Sequence, residues 1–193
     1  NVAPINPDAV IPNIRKDYTV TDKADGERKL LFINENGKIY LIDTNMNVQF
    51  TGAITKVQDN FNTIIDGEHI LHSREGNFIN LFAAFDVYYL KGKDVRALEF
   101  VPTEEEYIKT NFRLPLLTDL VKELGMVSVI SDGESPLRLQ VKKFYVESKE
   151  SSIFAGCKLI LSKNTETGFE YDIDGLIFTP TKLGVGSNVK GKA

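Results

Sequence analysis

The chain has 193 residues, of which 42% are hydrophobic and 26% charged, and its formal net charge is −4. This composition is that of one soluble globular domain, with no apolar run long enough to span a membrane and no signal segment expected. The negative charge argues against a module that grips long duplex nucleic acid, although it permits a local nucleotide site. The single cysteine, Cys157, excludes an internal disulfide and a cysteine-built zinc site, which favours a reducing intracellular compartment.

Strands are predicted throughout the first half of the chain. An irregular lead-in over residues 1–17 is followed by a short strand, Tyr18 to Val20, and a charged turn, Thr21 to Arg28. Lys29 to Ile33 and Lys38 to Ile42 alternate around a polar turn, so they predict a β-hairpin.

An acidic turn and a buried strand are predicted next. Phe61 to Ile65 and Glu68 to Leu71 flank Asp66-Gly67-Glu68, which suggests two strands that meet at a turn. Residues 78–90 are nearly all apolar or aromatic, with Asp86 as the only charge, and predict a buried strand. His69 and His72 are expected to be surface residues without a functional role.

The second half mixes helices with strands. Thr103 with Glu106 forms a capping box that predicts one helix start, and Pro115 opens a second helix that Gly125 ends. The remaining segments are a strand over residues 126–130, a strand over 138–145, a helix over 151–162 and a strand over 171–179. The predicted fold class is therefore α+β, with mostly antiparallel sheets and flanking helices.

The charged turn offers chemistry as well as a bend. It reads Lys-x-Asp-Gly-x-Arg from Lys23 to Arg28, which places an amine, an acid and a second cation close together. A lysine whose pKa falls beside another cation such as Arg28 becomes a nucleophile. The alternative is a solvated turn of mixed charges, and the turn by itself does not decide between them.

Two further Asp-Gly pairs lie beside apolar strands, at Asp66-Gly67 and Asp174-Gly175. If these strands are neighbours, Lys23, Arg28, Glu68 and Asp174 converge on one groove, where they are suited to a triphosphate with Mg²⁺. Residues 131–136 carry a similar Asp-Gly pair but lack apolar flanks, and they predict an exposed turn.

Together these segments resemble the ordered motifs of the covalent nucleotidyltransferase superfamily, which contains mRNA capping guanylyltransferases and ATP-dependent DNA and RNA ligases. Lys23 to Arg28 matches the signature motif, and Ile65 to Glu68 matches the acidic third motif. Phe85-Asp86-Val87 resembles the aromatic-Asp motif that follows, and Asp174 to Phe178 resembles the fourth motif. The resemblance implies a nucleotidyltransferase domain of the ligase and capping type.

The fourth motif, Asp-Gly-Leu-Ile-Phe, is similar to that of the capping enzymes, whereas ligases typically begin it with Glu-Gly. Leu139 to Phe144 also resembles the capping-family strand whose lysine reaches guanine. The turn Asp22 to Arg28 is most like that of capping enzymes from large DNA viruses. The alternatives are the adenylyltransferase domain of an ATP-dependent ligase and a nucleotide-binding module without catalysis.

The resemblance implies a role for each residue of the constellation. Lys23 is the expected nucleophile that takes GMP from GTP and passes it to the 5′-diphosphate end of RNA. Asp174 and Glu68 are expected to face Mg²⁺ or Mn²⁺. The expected nucleotide-binding residues are Arg28, Glu68, Phe85, Lys142 and Ile177, with the base between Phe85 and Ile177 and with Lys142 selecting guanine.

The resemblance also implies parts that these 193 residues do not supply. We expect residues 1–193 to be one nucleotidyltransferase domain of a larger capping enzyme, with an OB-fold domain following it. The fifth motif is either Lys190-Gly191-Lys192, which otherwise reads as a mobile basic tail, or lies further on. Triphosphatase and methyltransferase domains are expected on the same parent chain, without a membrane segment. A viral protein would act in the host cytoplasm or the virion.

Overall fold

The structure, a computed structural model, describes residues 14–102, 111–148, 151–166 and 168–186. Within these ranges the chain forms eleven strands, two α-helices and a short 3-10 turn at Gln58–Asn60. The strands are β1 (Tyr18–Ala24), β2 (Glu27–Ile33), β3 (Lys38–Ile42), β4 (Val48–Thr55), β5 (Thr63–His72), β6 (Phe78–Leu90), β7 (Lys93–Asp94), β8 (Met126–Ser128), β9 (Arg138–Val141), β10 (Tyr145–Val146) and β11 (Ile173–Pro180), and the helices are α1 (Arg113–Glu123) and α2 (Ile153–Glu166).

The strands form two sheets. The smaller has the order β10-β1-β11, and the larger has the order β7-β6-β5-β2-β3-β4-β8, with β9 added beside β6. Every pairing between these strands is antiparallel except that of β6 with β9. The predicted α+β class with mostly antiparallel sheets is therefore confirmed.

The two faces of the larger sheet have different surroundings. On one face, Leu31, Ile33 and Ile65 pack with Leu117 and Leu120 of α1 in the main hydrophobic core. Side chains of alternate strand residues point to the opposite face, which we call the groove face. One end of the groove face is covered by the smaller sheet, through a cluster of Ala24, Ile70, Leu81, Ala83 and Tyr171.

Helix α2 packs on the smaller sheet, where Ile153 and Ile160 contact the buried Val20 of β1. Neither helix of the described ranges is long and apolar enough to cross a membrane. The helix predicted from Thr103 lies outside the described residues, as does the segment Lys190–Lys192.

The first of the two predicted charged turns is shorter than the sequence suggested. Strand β1 continues through Lys23 to Ala24, and β2 begins at Glu27, so Asp25 and Gly26 alone form the first turn. The prediction of a turn from Thr21 to Arg28 is wrong because β11 pairs with β1 as far as Ala24, and these cross-strand bonds extend the strand.

The acidic turn at residues 66–68 is also wrong, since β5 runs unbroken from Thr63 to His72. Strands β2 and β6 pair with it on both sides through Asp66, Gly67 and Glu68, which holds the backbone extended. A Cβ at Gly67 would lie 2.4 Å from the Phe82 ring, so glycine is needed for close packing rather than for a turn.

The strand predicted over residues 138–145 is interrupted in the middle. Its first part, β9, joins the larger sheet, and its last part, β10, joins the smaller one. Lys142 lies at the crossing, and its backbone N–H donates to Ala84 O at 2.8 Å. The predicted hairpin, the buried strand at residues 78–90 and the helices beginning near Pro115 and Ser151 are confirmed within a few residues.

Candidate active site

Lys23 and Asp174 form an ion pair between β1 and β11. Lys23 Nζ donates to both carboxylate oxygens of Asp174, at 2.7 and 2.8 Å. The two side chains are 50% and 53% exposed, so solvent and ligands reach the pair. The hydrogen bond to Asp174 raises the pKa of Lys23, and the charges of Glu68 and Asp25 act in the same direction.

The expectation that Arg28 lowers the pKa of Lys23 is therefore not met in this arrangement. Arg28 is bound to Asp66, with its Nε 3.1 Å from Oδ1 and its Nη2 2.7 Å from Oδ2. Tyr88 donates its hydroxyl to the same carboxylate. Asp66 is buried with 1% of its side chain exposed, whereas the Arg28 side chain is 60% exposed.

This pairing fixes the orientation of the guanidinium while leaving part of it accessible. The bond to Asp66 also raises the pKa of Arg28, so Arg28 is a permanent cation. Burial and the neighbouring Asp66 raise the pKa of the Tyr88 hydroxyl, which stays a donor. The sequence does not indicate either partner of Arg28, because its pattern predicts Asp66 in a turn and Tyr88 in a buried strand.

Glu68 lies half-buried beside these groups, directly opposite Arg28 in the pairing of β5 with β2. Burial raises the pKa of its carboxyl group, and the positive charges of Lys142, Lys23 and Arg28 oppose that shift. Glu68 therefore shares an electrostatic environment with three cations that come from three different strands or loops. The predicted convergence of Lys23, Arg28, Glu68 and Asp174 agrees with this geometry.

Gly26 makes the close approach of the first turn to β5 possible. A Cβ at Gly26 would lie 2.8 Å from both Glu68 Cγ and His69 O. The glycine therefore lets the first turn pack directly against Glu68 and the backbone of β5.

Lys142 is buried on the inner side of β1, and its amine is directed at Asp22. The amine donates to the backbone oxygen of Asp22 and lies 3.2 Å from Asp22 Oδ2. The two side chains are 2% and 4% exposed, and the Tyr171 hydroxyl donates to the same carboxylate at 3.2 Å. The charge of Lys142 also acts on Glu68, so the amine borders the candidate site.

Phe85 and Ile177 occupy different sheets. Phe85 is half-buried in β6, at a register shift between the pairs Asp66–Asp86 and Gly67–Ala84. Ile177 is 37% exposed on β11, opposite Thr21 of β1. Next to Phe85, the buried Asp86 accepts two hydrogen bonds from Arg113 of α1, at 2.8 and 3.2 Å. This ion pair, which the sequence did not indicate, ties the bulge around Phe85 to the core.

The carboxylates of the site fit a magnesium ion that is held partly by substrate. Among the described residues there is no cluster of three metal-ligating side chains. Mg²⁺ is commonly bound by one or two carboxylates, with water and substrate phosphates as the other ligands. Asp174 and Glu68 fit that donor set, in which the protein supplies only one or two of the ligands.

Comparison with known proteins identifies related chains. Residues 13–190 match the family described as the catalytic domain of mRNA capping enzymes. A protein of Acanthamoeba polyphaga mimivirus, described as "Probable mRNA-capping enzyme", is 31% identical over 166 residues, which cover 86% of this chain and 14% of that protein.

Two solved structures share the fold. A mycobacterial DNA ligase D, complexed with ATP and MES, superposes with a TM-score of 0.50 at 15% identity over 86% of this chain and 49% of that one. The ligase domain of the M. tuberculosis enzyme gives a TM-score of 0.50 at 14% identity, over 86% and 50% of the two chains. At this identity the likeness concerns the fold alone.

Proposed function

The chain belongs to the mRNA capping enzyme family and matches the catalytic domain of these enzymes. From this we propose that it transfers GMP from GTP to the 5′-diphosphate end of RNA. The observation that carries the proposal is the position of Lys23. Its half-exposed amine lies on the smaller sheet, hydrogen-bonded to Asp174 and within electrostatic range of Glu68 on the larger sheet. The chain spans 14% of the length of the mimivirus relative, so the activity of a whole capping enzyme is part of the proposal.

In the first step, the neutral amine of Lys23 forms a bond to the α-phosphorus of GTP. The bond from that phosphorus to the bridging oxygen breaks, pyrophosphate leaves with the electron pair, and the amine nitrogen releases one proton to solvent. In the second step, a terminal phosphate oxygen of the RNA attacks the same phosphorus. The nitrogen–phosphorus bond breaks as its nitrogen takes a proton from solvent, the RNA carries the GMP, and Lys23 is regenerated.

The ion pair with Asp174 has to open before the first step, because it favours the protonated amine. We propose Asp174 and Glu68 as the residues that hold Mg²⁺ or Mn²⁺. When bound, the metal supplies positive charge that stabilises the triphosphate and the departing pyrophosphate.

Arg28 is proposed to bind the ribose or a phosphate. A guanidinium has five N–H donors, and Asp66 uses two of them at the distances observed, so donors remain for a ligand. Glu68 is proposed to bind the ribose as well as the metal. Phe85 and Ile177 are proposed to pack against the two faces of the base, where apolar surface and stacking give affinity with little choice of base.

We propose that Lys142 anchors β1 through Asp22. The guanine contact that the resemblance implies stays a proposal for the same amine, which has three N–H donors. We also propose that an OB-fold domain and further capping activities belong to a longer protein, since the matched relative is much longer than this chain.

Covalent labelling tests the proposed function. The protein is incubated with Mg²⁺ and labelled GTP or labelled ATP, and denaturing electrophoresis then shows whether label stays on the chain. We expect label from GTP and none from ATP. Label from ATP alone would assign the chain to the ligase-type adenylyltransferases. GTP binding without any adduct would favour a nucleotide-binding module.

A further inference from the structure

The groove face of the larger sheet continues beyond the candidate site as an open apolar surface on β2, β3 and β4. Val48 is 62% exposed and Phe50 40% exposed, and the remaining members are half-buried. None of them belongs to a hydrophobic cluster of the described residues. We call this surface the open strip, and it consists of Leu30, Phe32, Tyr40, Ile42, Val48 and Phe50.

Three aromatic rings cross the open strip from strand to strand. Phe32 is paired with Tyr40, and Tyr40 with Phe50, in the registers of the two hairpins. The ring centroids are 6.5 Å apart in the first pair and 5.3 Å apart in the second. A row of accessible rings on a sheet is the kind of surface on which single-stranded RNA stacks its bases.

The charges around the open strip suit a nucleic acid, although the chain as a whole has a net charge of −4. The strip itself contains no carboxylate. On the same face, Arg28 lies two residues before Leu30 on β2, and the exposed Lys38 lies two residues before Tyr40 on β3. Both ends of the strip therefore carry a cation that can meet a phosphate.

A shallow pocket joins the open strip to the candidate site. Its volume is about 210 Å³, and its lining includes Arg28, Leu30, Ile42 and Tyr88. Asp43 also lines it, with its carboxylate held by backbone N–H groups of Asn45 and Asn47, each at 2.9 Å. Arg28 is thus shared between the site of Lys23 and the strip, so a ligand can follow one continuous surface.

We propose that the open strip binds the first nucleotides of the acceptor RNA, with their bases stacked on Tyr40 and Phe50 and their phosphates near Arg28 and Lys38. This inference rests on the proposed function, because it assigns a place to the RNA substrate of the second step. The strip is separate from the residues that react with GTP. Its contribution therefore falls on the transfer step and grows with RNA length.

Transfer kinetics provide the first test. Tyr40→Ala and Phe50→Ala are expected to form the GMP adduct at the wild-type rate, while the concentration of 5′-diphosphate RNA that half-saturates transfer rises about tenfold. Tyr40→Phe keeps the ring and should restore wild-type transfer. Phe154→Ala is the matched control, since Phe154 is 51% exposed on α2 and remote in sequence from the strip. An acceptor with a single nucleotide, which reaches fewer rings of the strip, should show a smaller difference between these variants and the wild type.

Direct binding provides a second test that does not depend on catalysis. The chain contains no tryptophan, so Phe50→Trp introduces one fluorescent reporter on the strip. We expect a 5′-diphosphate oligoribonucleotide to change its emission, and Phe154→Trp to show no change. Unchanged emission together with unchanged transfer would overturn the inference. That result is expected if a neighbouring domain, rather than RNA, packs on the strip. Failure of the wild-type chain to form an adduct would overturn the proposed function. The emission of Phe50→Trp would still show whether RNA binds at the strip.

Discussion

Two ion pairs on neighbouring residues of β1 differ in burial and in what they are suited to do. Asp22 pairs with Lys142 at 3.2 Å, and both side chains are at least nine-tenths buried. Lys23, the next residue, pairs with Asp174 at 2.7 Å, and about half of each side chain is exposed. The buried pair is suited to holding the strand in place, and the exposed pair to exchanging its partner.

Solvent exposure explains how the shorter of the two pairs can be the one that opens in the proposed reaction. Water and salt screen an exposed ion pair, so opening Lys23–Asp174 costs little. Breaking a buried pair by removing one partner leaves an uncompensated charge in the interior, which is far more costly. The proposed nucleophile, Lys23, would have to leave its carboxylate in each catalytic cycle, and a structural anchor does not.

The largest expected effect separates chemistry from stability. Lys23→Ala should abolish adduct formation, because the nucleophile is gone, yet unfold at nearly the wild-type denaturant concentration. Lys23→Arg should be equally inactive, since a guanidinium stays protonated and does not attack phosphorus. Labelling with GTP and chemical denaturation measure the two properties. Label on either variant would remove Lys23 from its proposed role.

The buried pair should show the opposite pattern. Lys142→Met keeps the length of the side chain but leaves the Asp22 carboxylate unpaired, so the free energy of unfolding should fall by about 3–5 kcal/mol. Urea denaturation followed by circular dichroism measures this loss.

The neighbouring lysine supplies a matched control for that measurement. Lys143 is exposed, with its amine 4.9 Å from the centre of the Tyr145 ring, so Lys143→Met should change stability little. If Lys142→Met were instead fully stable and accepted ATP as well as GTP, Lys142 would be the residue that selects the base.

The local pattern of the sequence was sufficient to predict most strands, because hydrophobic alternation and turn residues act over a few positions. It also predicted that Lys23, Glu68 and Asp174 lie together, since each stands beside an Asp-Gly pair at an apolar strand. The two charged turns were misjudged for a physical reason. Cross-strand bonds from β11, β2 and β6 keep those segments extended, and such partners are distant in sequence.

The partners of the charged side chains were less predictable than the side chains themselves. Asp66 was visible as an acid, but only the pairing of β2 with β5 brings it to Arg28. Likewise, Asp22 and Lys142 meet because the chain crosses from one sheet to the other between β9 and β10. The sequence did contain a signal for the position of Asp66, since an unbroken β5 would place Asp66 and Glu68 on the same face.

Strand β5 also has neighbouring residues that differ in burial. Glu68 is half-buried on the groove face, and His69 beside it is buried. His69 was expected at the surface, but it is only 7% exposed. Its Nε2 lies 2.8 Å from Asn80 Oδ1, and its Nδ1 lies 3.1 Å from Lys29 Nζ. These partners fit a neutral ring that donates to Asn80 and accepts from Lys29.

The smallest expected effect follows from that neutral ring. Burial lowers the pKa of His69, the charge of Lys29 adds to the shift, and the bond to Asn80 and the charge of Glu27 oppose it. The unfolded chain, with an ordinary histidine pKa of about 6.5, therefore binds the proton first on acidification. The stability that neutral His69 contributes is present above about pH 6.5 and is lost as the pH falls through the lower pKa of the folded state.

Urea titrations between about pH 8 and about pH 5 test this dependence. The wild-type protein should lose its stability advantage over His69→Gln as the pH falls, because the variant lacks the titrating group. His72→Gln is the matched control, since it makes the same substitution at an exposed position at the end of β5. Parallel profiles for the wild type and His69→Gln would mean that His69 is not held neutral. The burial contrast between neighbouring residues would then apply to β1 and not to β5.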